Sequence, residues 1–333
     1  MKMELRTMNS SKTMTNARDV LIFKGRDRAK TLHNLCTNDI LRASVGDCLE
    51  AFITSLQGKV LGFVELLVFE DSIYVISNEK GLELCRDHIK KYSVFDETEV
   101  IEPEYEMQSL FINQNQDMDQ ISLLLDIKLE SEISKCKKYQ INQHDIILKP
   151  SFLGGSIEFI GKKDIIRDIS EKLKLTRLAP EEYELLRILA GWPNSGIDTC
   201  ADNLPQEIDR DNTAISFKKG CYLGQETVAR LDALGHVNRK LVGVSFKPTQ
   251  EFLNIEKVLP IQVLNKDNQV VGEIRSLAYD QVNQNYSGLA MMRLKALESE
   301  TRLAASPDMI LKFQSLVAFR EGAASLSQSF LND

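Results

Sequence analysis

The chain has 333 residues, is 43% hydrophobic and 27% charged, and carries a net charge of −7. This is the composition of an ordinary soluble globular protein with length for about two or three domains, and it argues against a general nucleic-acid-binding surface. The six cysteines, Cys36, Cys48, Cys85, Cys136, Cys200 and Cys221, include no C-x-x-C pair, which argues against a zinc site and against a secreted disulfide scaffold.

Residues 19–23 (DVLIF) read as a strand ending at Gly25, followed by a helix from Arg26 to Cys36. Residues 48–77 read as a β-meander that turns at Gln57-Gly58 and at Glu70-Asp71. Within it lies the best apolar run, Val60 to Phe69, which Glu65 interrupts. That run is too short to span a membrane, and no apolar signal segment opens the chain, so the expectation is a cytoplasmic protein with no membrane partner. Leu82, Cys85, Ile89 and Tyr92 recur at helical spacing and predict an amphipathic helix with a core-facing stripe. A second strand-and-helix block follows over 106–175, with strands at 106–112, 142–148 and 156–160 and helices at 117–126 and 162–174. Pro180 opens a further helix, which Gly191 and Pro193 end. The polar stretch 192–217 is irregular, and loops of that length in compact domains usually carry function. Short strands at 241–247, 259–264, 269–278, 286–291 and 309–313 predict a small β domain. The Ser- and Ala-rich tail after Arg320 is expected to fray.

The most informative segment is Lys219-Gly220-Cys221-Tyr222-Leu223-Gly224-Gln225-Glu226. It sets a thiol between a cation and a tight turn, with a carboxamide and a carboxylate just beyond. The run from Glu226 to Leu231 reads as helical, so Cys221 is expected just before a helix N-terminus and beside Lys218 and Lys219. Both neighbours favour thiolate over thiol. Such a cysteine suits a nucleophile, a redox group or a transient metal ligand, whereas a lone cysteine is more often a small core residue. Lys218, Lys219, Arg230, Arg239 and Lys240 form a local basic excess that suits a small anionic ligand, or else simply solvates the surface.

The segment Ile215 to Arg230 resembles the signature of the YgfZ family, folate-binding proteins related to the aminomethyltransferase (T-protein) of the glycine cleavage system. Arg187-Ile188-Leu189-Ala190-Gly191-Trp192-Pro193, Gly196 and Leu204-Pro205-Gln206-Glu207 resemble that family's approach to the motif, and Gly235 and Arg239 fit the family pattern just beyond it. Gly25-Arg26-Asp27, Leu35 to Ile40 and Gln57-Gly58-Lys59 resemble the superfamily's N-terminal block. The resemblance implies an α+β fold. Two α+β lobes within residues 1–240 would surround a folate channel, and a small C-terminal β-barrel would occupy 241–333. It also implies a tetrahydrofolate-binding accessory protein for iron–sulfur cluster assembly or repair that supports cluster-dependent tRNA modification. Its partners would be folate, as tetrahydrofolate or a one-carbon derivative, and iron–sulfur client or assembly proteins. Fast turnover of its own is not expected. The alternative is a tetrahydrofolate-dependent aminomethyl- or methyltransferase, although the true transferases lack the cysteine-centred motif. A scaffold with an inert thiol is the third reading.

On this resemblance Cys221 is the candidate working group, a possible transient iron–sulfur ligand, and Lys219 supports its thiolate. Gly220 and Gly224 serve geometry, and Tyr222 packs in the core or faces the ligand. Gln225 and Glu226 orient a ligand, or Glu226 occupies the first turn of its helix. Tyr183 stacks on a pterin ring or belongs to the core of its helix. Arg187, Arg230 and Glu207 are candidate folate contacts, and Asn38 and Asp39 line the pocket or cap a turn. At a second position where the family carries an aromatic, this chain has Arg18, suited to a glutamyl carboxylate. Of the histidines, His236 lies close to the motif in sequence.

Overall fold

The computed structural model describes residues 12–93, 97–113, 118–130, 133–254, 258–299, 301–304, 309 and 311–319. The tail expected to fray lies outside them, as does part of the strand expected at 309–313. The first lobe runs β1 (Lys12–Lys24), α1 (Arg28–Leu35), β2 (Cys48–Thr54), β3 (Val60–Val68), β4 (Ser72–Asn78), α2 (Glu83–Tyr92) and β5 (Glu99–Ile101). The second runs β6 (Met107–Ile112), α3 (Met118–Leu125), β7 (Lys137–Ile141), β8 (His144–Pro150), β9 (Ile157–Lys162), α4 (Lys163–Leu173) and β10 (Thr176–Arg177). Next come α5 (Pro180–Leu189), α6 (Asp211–Ala214) and α7 (Gln225–Leu234). The C-terminal part holds β11 (Arg239–Phe246), α8 (Gln250–Asn254), β12 (Ile261–Asn265), β13 (Val270–Asp280), β14 (Asn285–Arg293), β15 (Thr301–Leu303) and β16 (Lys312–Ser315).

Among the described residues the two lobes share one sheet of ten strands, in the order β2-β3-β4-β1-β6-β9-β8-β7, with β5 and β10 also on β1. The join is β1, longer than its apolar stretch suggests. Its polar first half, Thr13 to Arg18, pairs with β6, while Arg18 to Lys24 pairs with β4. β7, not anticipated from sequence, is a lysine-rich strand at the end of the sheet, where charge is tolerated and alternation is weak. β3 is apolar on both faces because both are covered. One face of the first lobe packs Leu32, Leu35 and Cys36 beside α1, and Leu82, Cys85 and Ile89 of α2, against Leu21, Phe23, Ile53, Leu66 and Val75. The second lobe is covered by Ile121 and Leu125 of α3 and by Ile165, Ile166, Ile169 and Leu173 of α4. Between the lobes lie Val20, Leu67, Tyr74, Ile76, Met107, Ile147 and Ile160. The C-terminal strands form a separate antiparallel sheet in the order β15-β12-β13-β14-β11-β16.

Four charged side chains sit in the interior where the lobes face each other. Arg18 on β1 pairs with Glu158 on β9, and its Nε donates to Ser109 Oγ at 2.9 Å. Lys149 on β8 lies 2.7 Å from Glu65 of β3 and 3.1 Å from Glu158. β3 and β8 are not neighbours in the sheet, so the Lys149–Glu65 contact crosses from one lobe to the other. Lys149 and Glu158 are each 1% exposed. Burial alone would raise the Glu158 carboxyl, but Arg18 and then Lys149 outweigh it and hold it at about 2. The Arg18 guanidinium commits its Nε and Nη2 to this group.

Replacing Lys149 with Met leaves Glu65 and Glu158 buried without their shared cation, and is expected to lower the unfolding free energy by about 3–5 kcal/mol in urea denaturation. The pH dependence comes from the sign of the Glu158 shift. A depressed carboxyl stabilises the fold fully above its ordinary value of about 4.3, and that stability is lost as pH falls from there toward 2. Glu158→Gln should flatten the acid limb of the stability curve.

Candidate functional site

The octapeptide and the N-terminal block, about 180 residues apart in sequence, form one structure. Residues 213–223 run along 34–38 and are bonded to them repeatedly. Ser216 N–H donates to Thr37 O at 2.9 Å, Thr37 Oγ1 donates to Ala214 O at 2.6 Å, and Asn38 Nδ2 donates to Thr213 O at 2.8 Å. Further on, Leu223 N–H donates to Asn34 O at 2.9 Å, and Thr54 Oγ1 donates to Leu223 O at 2.6 Å.

Lys219 is buried at 7% exposure, and its ammonium donates to the carbonyls of His33 (2.6 Å), Cys36 (2.6 Å) and Asn38 (2.9 Å). An ammonium has three donors, so all are used. These acceptors sit at the end of α1, where helix carbonyls lack intrahelical partners and a cation is favoured. This revises the expectation that Lys219 serves the Cys221 thiolate: its three donors go to carbonyls at the end of α1 and the turn after it. Its ammonium also lies 4.8 Å from the Tyr222 ring centroid. Tyr222 takes the core alternative and packs with Phe52, Phe63, Ile188 and Leu241. Burial lowers the Lys219 ammonium from its ordinary value and pushes the Cys36 thiol up. Burial and then Lys219 lower the His33 imidazole, whose Nδ1 lies 3.5 Å from Asp39 Oδ1.

The two glycines differ in kind. Gly224 has φ +84°, and a Cβ there would lie 2.3 Å from Ser55 O and 2.7 Å from Gly58 Cα. It is therefore the point where the motif meets the Gln57-Gly58-Lys59 turn. Around Gly220 the nearest such atom is His33 Nε2 at 3.6 Å, so the geometric role expected of Gly220 is not required there. Cys221 lies between them on the surface, three residues ahead of the Gly224 cap that precedes α7. Among the described cysteines it is the exposed one. Glu226, in the first turn of α7, and Arg230 are exposed on the same helix, and Gln225 is half-buried with its N–H donating to Tyr222 O at 3.1 Å. His236 is also exposed.

Arg187, Glu207, Asn38 and Asp39 are bonded to other parts of the protein. Arg187 is 2% exposed, and its five N–H groups reach both Glu184 oxygens, Trp192 O, Asp198 Oδ2 and Ser276 Oγ of β13. It clasps α5 and the 192–217 loop to the C-terminal sheet. Glu207 likewise accepts from Asn203 Nδ2 at 2.8 Å and Leu204 N at 3.1 Å, and pairs with Arg239 of β11 at 3.0 Å. Asn38 bonds its own turn and Glu50 O, and Asp39 faces His33 and Arg42, which is the turn alternative. A charged residue buried with all its groups satisfied reads the same in sequence as one that faces a ligand.

Tyr183 is half-buried in a row of aromatic rings that sequence reading did not assemble. Phe63 meets Trp192 edge-on at 5.3 Å, Trp192 stacks on Phe152 at 5.9 Å, and Phe152 stacks on Phe111 at 5.4 Å. Tyr183 closes the row edge-on to Phe111 and Phe152 at 5.4 and 5.8 Å, and burial pushes its phenol up to about 12. Beside Trp192 and Phe63 lies a narrow slot, also lined by Arg18, Glu65 and Asn78, with free space of only about 10 Å³. The signals available in sequence were charges set among apolar neighbours, at Glu65, Lys149 and Glu158, and the Gly-Trp-Pro step after α5.

No family model matches this chain. It is 27% identical over 244 residues to a tRNA-modifying protein YgfZ of Colwellia psychrerythraea, covering 71% of this chain and 72% of that protein. A 67-residue stretch is 40% identical to a mitochondrial iron–sulfur cluster assembly factor homologue of Mycosarcoma maydis, 20% of this chain and 17% of that one. The fold matches the glycine cleavage system aminomethyltransferase T from Bartonella henselae at a TM-score of 0.75 over 93% of this chain and 86% of that one, with 13% identity. The resemblance read from the motif therefore holds: the chain is similar to YgfZ proteins over most of its length and has the aminomethyltransferase fold. No described helix is long and apolar enough to cross a membrane.

The contrast between the two glycines is testable. Gly224→Ala forces a left-handed residue against backbone and is expected to cost more than about 2 kcal/mol in chemical denaturation. Gly220→Ala should stay within about 0.5 kcal/mol of the parent. Equal costs would mean that the turn contact does not anchor the motif.

Proposed function

We propose that this protein is a tetrahydrofolate-binding accessory factor for iron–sulfur cluster assembly or repair, supporting cluster-dependent tRNA modification, with Cys221 as its working thiol. The observation that carries the reading is the combination of exposure and anchoring at Cys221. The thiol stands on the surface, while the residues on both sides of it are fixed by Lys219 and by the Gly224–Gly58 contact. A structural cysteine needs no such exposure, and an exposed thiol on a fixed loop can meet a thiophilic metal centre on a partner protein. The iron–sulfur cluster is cargo in this reading, and nucleic acid is not a direct partner.

The aromatic slot is the place for the folate ring. Trp192 and Phe63 offer stacking surfaces, and Glu65 and Asn78 offer hydrogen-bonding groups for a ring rich in N–H donors and acceptors. Space for about one water demands that an aromatic side chain move first. Phe152 is the candidate: it precedes Gly154 and Gly155, both surrounded by open space, on the loop between β8 and β9. Trp192 is held by Arg187 O at 3.1 Å and by the Arg210 guanidinium 5.1 Å from its ring. Bound tetrahydrofolate would supply a one-carbon or reducing centre. The alternative of a folate-dependent aminomethyl- or methyltransferase has the shared fold on its side. It is tested by asking whether purified protein forms methylenetetrahydrofolate from an aminomethyl donor.

Two variants separate the parts of the proposal. Trp192→Ala should weaken tetrahydrofolate binding by about 1–3 kcal/mol in calorimetry, and unchanged affinity would remove Trp192 from the site. Tyr183→Ala tests the neighbouring ring in the same way. Cys221→Ser should fold and bind folate normally yet fail to restore iron–sulfur enzyme activity in cells lacking the protein. Full rescue by Cys221→Ser would overturn the thiol-centred reading.

A further inference from the structure

The ten-stranded sheet has two ends, β2 and β7, and the fold curls until they meet. Cys136, immediately before β7, donates its N–H to Gly46 O at 2.8 Å, two residues ahead of Cys48, the first residue of β2. Lys138 of β7 completes the meeting, with its ammonium 2.7 Å from Asp71 Oδ1 on the β3–β4 turn. The two thiols crowd one stretch of backbone: Cys48 Sγ lies 3.9 Å from Gly46 O, and Cys136 Sγ lies 3.6 Å from Asp47 O. Both pack against the core between the lobes, Cys136 buried and Cys48 half-buried.

We propose that Cys48 and Cys136 are a reversible dithiol–disulfide pair, oxidised by hydrogen peroxide, that staples the two ends of the sheet together. This inference is independent of the folate reading and of Cys221. The two thiols share a hydrogen bond, so each can support the other's thiolate. One thiolate attacks an oxygen of hydrogen peroxide, the O–O bond breaks, and hydroxide leaves, giving a sulfenic acid. The second thiol then attacks that sulfur and displaces a second hydroxide. The two protons given up by the thiols convert both hydroxides to water, and two electrons pass from the sulfurs to the peroxide. Hydrogen peroxide is small enough for a half-buried pair that a bulky disulfide reaches poorly. Closed, the bond would join residues far apart in sequence and fix the lobes against each other.

The test uses the full chain, treated with hydrogen peroxide, alkylated under denaturing conditions and digested without reduction. Mass spectrometry should find the Cys48–Cys136 cross-linked peptide, reversed by dithiothreitol. The melting temperature of the oxidised protein should rise by on the order of 5 °C over the reduced form. Cys48→Ser and Cys136→Ser should each abolish both the cross-link and the rise. If peroxide instead modifies Cys221 or Cys200 while Cys48 and Cys136 remain fully alkylatable, the pair is ordinary core and the proposal fails. The mapping of the unsubstituted chain decides this even if a variant does not fold.

Discussion

The buried ammonium of Lys219 is the contact on which the candidate site depends. A lysine so enclosed is tolerated only because three carbonyls replace its water. Those carbonyls belong to the end of α1 and the turn after it, so one side chain satisfies a helix terminus and fastens a loop from the other end of the sequence. Without it, the bonds made by Ser216, Leu223, Thr37, Asn38 and Thr54 would have to hold the loop. With Lys219 turned inward and Tyr222 in the core, the two residues between them, Gly220 and Cys221, stand on the surface.

A second pattern runs through the molecule. Several of its charged interior residues join pieces of the fold. Arg187 binds α5 and the long loop to the C-terminal sheet, Glu207 and Arg239 do the same from the other side, and Lys149 links the lobes. Each is a group for which burial is costly unless every donor or acceptor is met, so each fixes relative placement more sharply than apolar contact does. The aromatic row from Phe63 to Tyr183 fills the space these joints leave between the lobes. The slot beside Trp192 and Phe63 is correspondingly narrow.

Much of this architecture was legible from residue order. The periodicities placed most strands and helices within a few residues, and the specific run around Cys221 carried both the resemblance and the fold it implies. The N-terminal block and the approach to the motif also stood out in the sequence as meaningful. Several of their residues, however, were expected to hold a ligand. Arg187, Glu207 and Asn38 carry the polar groups a folate site needs, and those same groups suit a protein joint equally well. β7 is not legible in the sequence because a lysine-rich end strand has little alternation to reveal it.

By itself, then, the sequence determined the class of fold and the segments that carry the resemblance, because these rest on local pattern and residue chemistry. What only the tertiary structure decided is which partner each polar group takes. Lys219 and Cys221 are two residues apart, yet one faces three carbonyls near residue 36 and the other faces solvent. Cys48 and Cys136, far apart in the chain, crowd the same stretch of backbone. Hydrogen bonds and ion pairs act over a few ångströms of space with no regard to chain distance, so their pairing exists only once the sheet has curled and brought its ends together.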